Sequence, residues 1–458
     1  MTIQVSESID DQELKGAVSN RSKRAVNGQQ FASQVSRLHP DLTPAVLAEL
    51  RQASGDRLLS LTFPTTKDED WKYTDVSVLG EYTFADRDVD MQAAEELLAQ
   101  NLAQEAIGNV IVFVNGKYSP ELSDCSQIED GLVVGTLATL DDRILPKLRS
   151  HLAQHPDTHS DYFANLNTAN MSDVAIILVP KNQVVANPVQ IVFIVAPQSG
   201  QGTLITQPRC LIVAENHSSL TLVQSFVGVD DQAYVTNAVT EIWLAEGAQV
   251  NHTKVQRQSL EAVHISTTAI AQARNSGYKN QSIGFGAKIS RHNLLVQQMA
   301  EQTETILTGL AFTDGDQLTD THSCIAHNYP YGSSQQLHKC IADGRSRTVF
   351  NGKIQVAKLA QQTDSAQLSR NLLLSNKARV DTKPQLEILA DNVKCAHGAT
   401  ISQLDADEIF YLQSRAIDAE SAAKLLTYAF AAEAIGRIPV LSVQRSLSQF
   451  VLEKTKAQ

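Results

Sequence analysis

Residues 391–415 read DNVKCAHGATISQLDADEIFYLQSR, and within them the chain passes from strand-like to helical patterning. Just upstream, Gln385-Leu386-Glu387-Ile388-Leu389 alternates polar and apolar residues, as a strand with one buried face does. A strand running on through Val393 to Ala399 points Cys395 and His397 to one face, about 6–7 Å apart. A soft thiolate and a borderline imidazole so placed suit iron, zinc or an iron–sulfur species. Two ligands do not complete a metal site, so the others must come from elsewhere in the chain or from a partner. The same spacing also fits a buried thiol beside a hydrogen-bonded core histidine.

Upstream of this stretch, from about residue 173, short β-rich segments recur at 174–179, 189–195, 210–214, 220–226, 235–244, 263–271, 293–296 and 303–312. No long helical period separates them. They are rich in Gln, Asn, Thr and Ser, as in Thr236-Asn237-Ala238-Val239-Thr240. Turn signals are spaced more loosely than in a two-sheet sandwich, and no motif repeats cleanly. Pattern alone leaves sandwich and β-solenoid both open.

Toward the N-terminus the texture is helical. Phe31, Val35 and Leu38 begin one helical spacing, and Thr43-Pro44 opens a helix with Leu47 and Leu50 on its apolar face. Further helices carry Ala93, Ala94, Leu97, Leu98 and Leu102, then Leu145, Leu148 and Leu152. Between them, a hairpin is signalled by Ile111-Val112-Phe113-Val114 before Asn115-Gly116. The cluster Arg21-Ser22-Lys23-Arg24 reads as a solvated arm. After Leu404, Ile409, Leu412 and Ala416 make one stripe, and Asp418 caps a helix facing inward with Ala422, Leu425, Leu426, Ala429 and Phe430. Pro439 opens a last helix with Val440, Val443, Leu447, Phe450 and Val451 inward.

Composition bounds the function classes. The 458 residues are 43% hydrophobic but only 5% aromatic, so the apolar residues are mostly small aliphatics suited to thin stacked strands. The net charge of −12 argues against nucleic acid and against acidic lipid surfaces. No apolar run approaches the ~20 residues of a membrane span. The polar N-terminus and the odd count of five cysteines fit a cytoplasmic protein with free thiols. Gly352-Lys353 lacks the first Gly and the Ser or Thr of a phosphate loop, and Gly284-Phe285-Gly286 lacks the third Gly of a dinucleotide fingerprint. Asp314-Gly315-Asp316 reads as a turn, and Asp405-Ala406-Asp407-Glu408 as a helix start.

Four segments together resemble the signature of SufD in the SufB/SufD family of iron–sulfur cluster assembly subunits. They are Asn371-Leu372-Leu373-Leu374-Ser375, Thr382-Lys383-Pro384-Gln385-Leu386-Glu387-Ile388, Val393-Lys394-Cys395-Ala396-His397-Gly398-Ala399-Thr400 and Phe410-Tyr411-Leu412-Gln413-Ser414-Arg415. Glu69-Asp70-Trp71-Lys72-Tyr73-Thr74 resembles the family's N-terminal segment, where Trp71 and Tyr73 are expected to be packing anchors. One departure is Ala416, which stands where the family has a Gly suited to positive φ. Gly398 after the histidine, and the absence of Cys-Asp-Ser after the 369–375 strand, favour the SufD over the SufB branch.

The resemblance implies a mainly β fold, a right-handed parallel β-helix core flanked by helical regions. The corresponding boundaries are 1–160 for the N-terminal helical region with its hairpin, 161–403 for the β-helix, and 404–458 for the C-terminal helices. It implies a non-catalytic scaffold that pairs with a SufB-like paralogue along the β-helix edge and homodimerises when alone. The C-terminal helices would receive a SufC-like ABC-type ATPase and keep one face free for it. No cofactor is expected to be permanently bound. Transient iron or a nascent cluster would sit at the SufB interface on His397, where the family's emphasis falls, with Cys395 beside it. His322, Cys324 and His327, with His338 and Cys340, offer a further His-x-Cys ladder if coils stack them ~4.8 Å apart. The rival reading is a stand-alone iron- or metal-binding β-helix homodimer of iron acquisition.

Overall fold

The computed structural model describes residues 26–38, 45–137 and 139–455. The Arg21–24 cluster and the Thr43-Pro44 helix start lie outside them. The early strands are β1 (Val110–Val114), β2 (Lys117–Tyr118), β3 (Val133–Thr136), β4 (Ala175–Val179), β5 (Val189–Val195), β6 (Leu204–Thr206) and β7 (Arg209–Ala214). Longer strands follow: β8 (Ser219–Gly228), β9 (Tyr234–Leu244), β10 (Gln249–Arg257), β11 (Val263–Gln272), β12 (Gly277–Gly284) and β13 (Ile289–Gln298). The series ends with β14 (Glu304–Thr313), β15 (Leu318–His327), β16 (Ser333–Ala342), β17 (Arg347–Val356), β18 (Asp364–Leu373), β19 (Arg379–Ile388) and β20 (Lys394–Ser402).

From β8 onward the even-numbered strands pair with one another in parallel, and so do the odd-numbered ones from β7 onward. The chain therefore alternates between two facing sheets and winds a parallel β-solenoid of about seven turns. Strands of the first sheet start at Ser219, Gln249, Gly277, Glu304, Ser333, Asp364 and Lys394, so one coil takes 27 to 31 residues. Positive-φ residues such as Gly247, Asn275, Gly315 and Gly344 close the turns between strands. The expected hairpin joins β1 to β2 in antiparallel register, with Asn115 and Gly116 at positive φ. β1 pairs with β5 and β3 with β4, so strands from the N-terminal region extend both sheets.

The solenoid's lumen is mixed. Near its start it is apolar, built on Ile191, Phe193, Ile212, Leu222 and Phe226. Further along, polar side chains bond across the lumen from sheet to sheet: Gln224 to Thr240 at 2.9 Å, Lys254 to Ser266 at 2.6 Å, Gln336 to Ser323 at 2.7 Å and Thr382 to Ser369 at 3.1 Å. In a parallel ladder, in-register side chains stack along the axis, so each such position continues as a column.

Helices cover the outer faces. Before the solenoid come α1 (Gly28–Ser36), α2 (Ala45–Ser60), α3 (Met91–Asn101), α4 (Leu145–His151) and α5 (Tyr162–Asn170). α1 and α5 pack on the outside of the second sheet with Phe63 and Leu79, against Val235, Val263 and Ile265. The Trp71 and Tyr73 anchors lie under the guanidinium groups of Arg291 and Arg347, at 4.5 and 4.7 Å.

The C-terminal helices are α6 (Ala406–Gln413), α7 (Ala419–Ile435) and α8 (Leu441–Lys454). α7 and α8 bury Ala431, Ala434, Val443, Leu447 and Val451 against the outer side of the first sheet, covering Val255, Ile283, Phe312 and Ile341. Of the expected α7 stripe, Ala422 is buried and Phe430 packs against this core, but Leu425 is 44% exposed and the small Ala431 and Ala434 face in beside them. α6 buries no residue, and Phe410 and Tyr411 stand 71% and 58% exposed. Asp405 caps α6 by accepting from the Asp407 amide at 2.8 Å.

Candidate functional site at the open end of the solenoid

β19 and β20 are the last strands of the two sheets, and each is paired on one side only. The solenoid is therefore open at this end. Lys394 N–H donates to the Thr363 carbonyl, so residues 394, 396, 398 and 400 bond toward β18. Strand alternation then turns the backbone N–H and C=O of Cys395, His397, Ala399 and Ile401 to the free edge. On β19, Arg379 N–H donates to Ser346, which places Pro384 at a position facing its own free edge. Proline there removes a donor without breaking the ladder, so β19 is blunted while β20 keeps its full edge.

The same residues carry the inner-face side chains. Ser365, Gln367, Ser369 and Asn371 are buried in the lumen, and they stand in register with Cys395, His397, Ala399 and Ile401. Cys395 and His397 therefore share the inner face, as the spacing indicates. No further coil covers them. Cys395 is half-buried beside Val393 and Leu386, and His397 is exposed with no hydrogen-bond partner among the described residues. The hydrogen-bonded core histidine is thus not what this position holds. Burial, with Asp364 adding to it, pushes the Cys395 thiol up, so ionisation there awaits a metal or another cation.

The other Cys and His residues are dispersed. His322 and Cys324 project from the outer face of β15 into a groove of about 710 Å³ that is bordered by Asp157, Asp161 and Trp71. His322 Nε2 lies 3.1 Å from Asp320, whose carboxyl pairs with Arg291 and Thr74. Burial pushes the Cys324 thiol up to about 11, and the thiol donates to Gln355 Oε1 at 3.4 Å. His327 faces the lumen instead and bonds Ser334 through Nε2 at 3.0 Å. These three do not form one ligand set, because they lie on opposite faces of one strand.

The ladder does not assemble either. Cys340 is in register with Asn371 and Ile401, and Cys395 with Ser365 and Ser334, so the two thiols belong to different columns. Among the described residues, no group of three or more His, Cys, Asp or Glu is placed to hold a metal. Gly352 lies inside β17 and Gly284 ends β12, with no helix following either. No helix among the described residues is long and apolar enough to cross a membrane.

Two family models match the chain: the SufBD core domain of the SUF system for FeS cluster assembly over residues 195–430, and the SufBD protein N-terminal region over 29–191. An iron–sulfur cluster assembly SufBD family protein of Synechocystis sp. is 41% identical, covering 90% of this chain and 92% of the relative. The iron–sulfur cluster assembly protein SufD of Escherichia coli is 32% identical, over 82% of this chain and 86% of its own length. SufD of Bacillus subtilis is 27% identical over 93% of this chain and 98% of its own. With these matches running through both the helical start and the solenoid, the chain belongs to the SufBD family of iron–sulfur cluster assembly proteins, as a homologue of SufD.

Proposed function

We propose that this chain is the SufD-type scaffold subunit of a SUF assembly complex, holding a nascent cluster between its own open end and a SufB-like partner. The observation that carries the reading is the coincidence at β20 of an unpaired backbone edge with an exposed imidazole and a half-buried thiol. A partner strand laid on that edge brings its own side chains level with Cys395 and His397, so ligands come from both chains. His397 is the ligand of this chain, with Cys395 beside it as a thiol that ionises on the metal. Iron and sulfide are cargo here, and a site split across an interface opens when the subunits shift. A SufC-like ATPase supplies that shift from the helical end, where α6 offers Phe410 and Tyr411. The chain itself is a scaffold without catalysis, working in the cytoplasm.

The test is His397→Ala with Cys395→Ser as companion, in the co-expressed complex. An exposed side chain without a partner changes stability by less than about 0.5 kcal/mol when truncated. Thermal stability and complex yield are expected to hold, while cluster delivery to an acceptor protein falls at least tenfold for His397→Ala. Cys395→Ser lowers delivery if the thiol is a ligand, since a hydroxyl suits soft iron poorly. Normal yield with normal delivery in His397→Ala removes the site from the proposal. Failure of a SufB-like chain and a SufC-like ATPase to travel with this protein on purification favours the homodimeric metal-binding reading instead.

A further inference from the structure

The inner face of the last two strands of the first sheet holds five polar side chains besides Cys395, and most are spoken for. Ser365 bonds Ser334 at 2.7 Å, Ser369 bonds Thr382 at 3.1 Å, and Asn371 donates to the Thr400 carbonyl at 2.8 Å. Two are not. Gln367 is 3% exposed, yet neither its Nε2 nor its Oε1 has a partner among the described residues. His397, its register neighbour in the last coil, has none either. Leaving both ends of a buried amide unpaired is costly unless a group nearby turns to meet it.

The space around Gln367 is shaped for that amide. Its side chain crosses the lumen to Gly352 of β17, where an added Cβ would lie 1.6 Å from Gln367 Nε2. Gly352 pairs with Pro384 in the last coil, so the amide forms the floor of the open mouth, one rung below His397. The neighbouring rungs are about 4.8 Å apart, within reach of an imidazole and a glutamine in one column.

We infer that Gln367 is a positioning residue for His397: the amide, unbonded where it stands, turns toward the mouth so that its carbonyl accepts the N–H of one ring nitrogen and fixes the tautomer that turns the other nitrogen's lone pair outward. A ligating histidine needs this arrangement, because the nitrogen that binds metal must be the unprotonated one and a partner for the other sets the ring's orientation. The inference rests on the reading of His397 as a ligand, but it makes a statement about the metal-free chain that can fail separately.

The experiment is long-range nitrogen-15 spectroscopy of the histidine rings in the full-length, metal-free chain, with the His397 signals assigned by their absence in His397→Ala. One tautomer is expected to dominate in the wild type, with its two ring-nitrogen signals far apart. In Gln367→Leu those signals are expected to move toward each other as the tautomers average, and in Gln367→Glu, which keeps an acceptor, to return apart. Thermal melting of Gln367→Leu shows that the variant is folded, so that a change in the ring signals is read as loss of the acceptor and not of the fold. An averaged tautomer in the wild type, or a wild-type pattern retained in Gln367→Leu, overturns the inference. Normal cluster delivery by His397→Ala overturns the ligand reading and leaves the tautomer result standing.

Discussion

Ala416 adopts φ 65° just beyond the end of α6, with its amide bonded to the Gln413 carbonyl and that of Ile417 to Leu412. The left-handed conformation sets a Cβ against the neighbouring carbonyl at a cost of about 1–2 kcal/mol. The backbone at this position is thus the one a glycine fits, and the sequence departs from the family there without the fold following. Ala416→Gly recovers that strain and returns part of it as unfolded-chain entropy, for a net gain of about 1 kcal/mol. Because α6 buries nothing, the gain belongs to the local opening of this helix rather than to the solenoid. Amide exchange across residues 406–415 is expected to slow about fivefold, with exchange in β8–β18 unchanged. Unaltered exchange in α6 would mean that the turn is held by something other than its own cap.

At the scale of the strand, the lumen's polarity decides both stability and legibility. His252, His264, His292 and His338 lie buried inside the solenoid, and burial depresses each of them, His252 and His338 to about 3. A histidine held neutral in the fold and protonated when unfolded adds stability above about pH 6.5. That stability is lost as the pH falls toward the folded value, by about 1.4 kcal/mol per pH unit for each such group. His338→Phe keeps a ring to stack on Phe350, where the centroids are 4.2 Å apart, but removes one titrating group. Denaturant unfolding from pH 6.5 to 4 is expected to show a slope shallower by one proton. An unchanged slope would mean that His338 is already protonated inside. The same inward polarity explains which strands could be read. β5 was legible because every residue in it is buried and apolar apart from Gln190. β16 turns Ser334, Gln336, His338 and Cys340 inward, so hydrophobic alternation vanishes there, and β13 is legible only at 293–296 because Ser290 and His292 also face the lumen. Cys395 and His397 were legible as a pair from their spacing. Gln367 was not, since its relation to His397 exists only once the coil length of 30 residues between them is known.

For the whole molecule, the consequence of a solenoid with one blunted and one intact terminal edge is a directed way to associate. A strand edge that keeps its N–H and C=O groups free is a template for another strand, and proteins ordinarily interrupt such edges. Here β19 is interrupted by Pro384, while β20 presents Cys395, His397, Ala399 and Ile401 with their backbone groups unpaired. Ala399→Pro tests this without touching Cys395 or His397, the side chains proposed to bind metal. Its N–H faces the free edge, so the ladder to β18 stays whole, and Gly398 before it tolerates the extended backbone that a following proline demands. Losing one inter-chain hydrogen bond removes about 1 kcal/mol, and the ring adds a steric clash with an incoming strand. Association with a SufB-like chain, the partner proposed for this edge, is expected to weaken at least tenfold by sedimentation or titration calorimetry, with the melting temperature of the isolated chain little changed. Ala396→Pro is the contrast, since its N–H bonds toward β18 and its loss destabilises the last coil itself. A partner bound at wild-type strength by Ala399→Pro would place the interface away from the β20 edge, and the site proposed at Cys395 and His397 would then lack its second half.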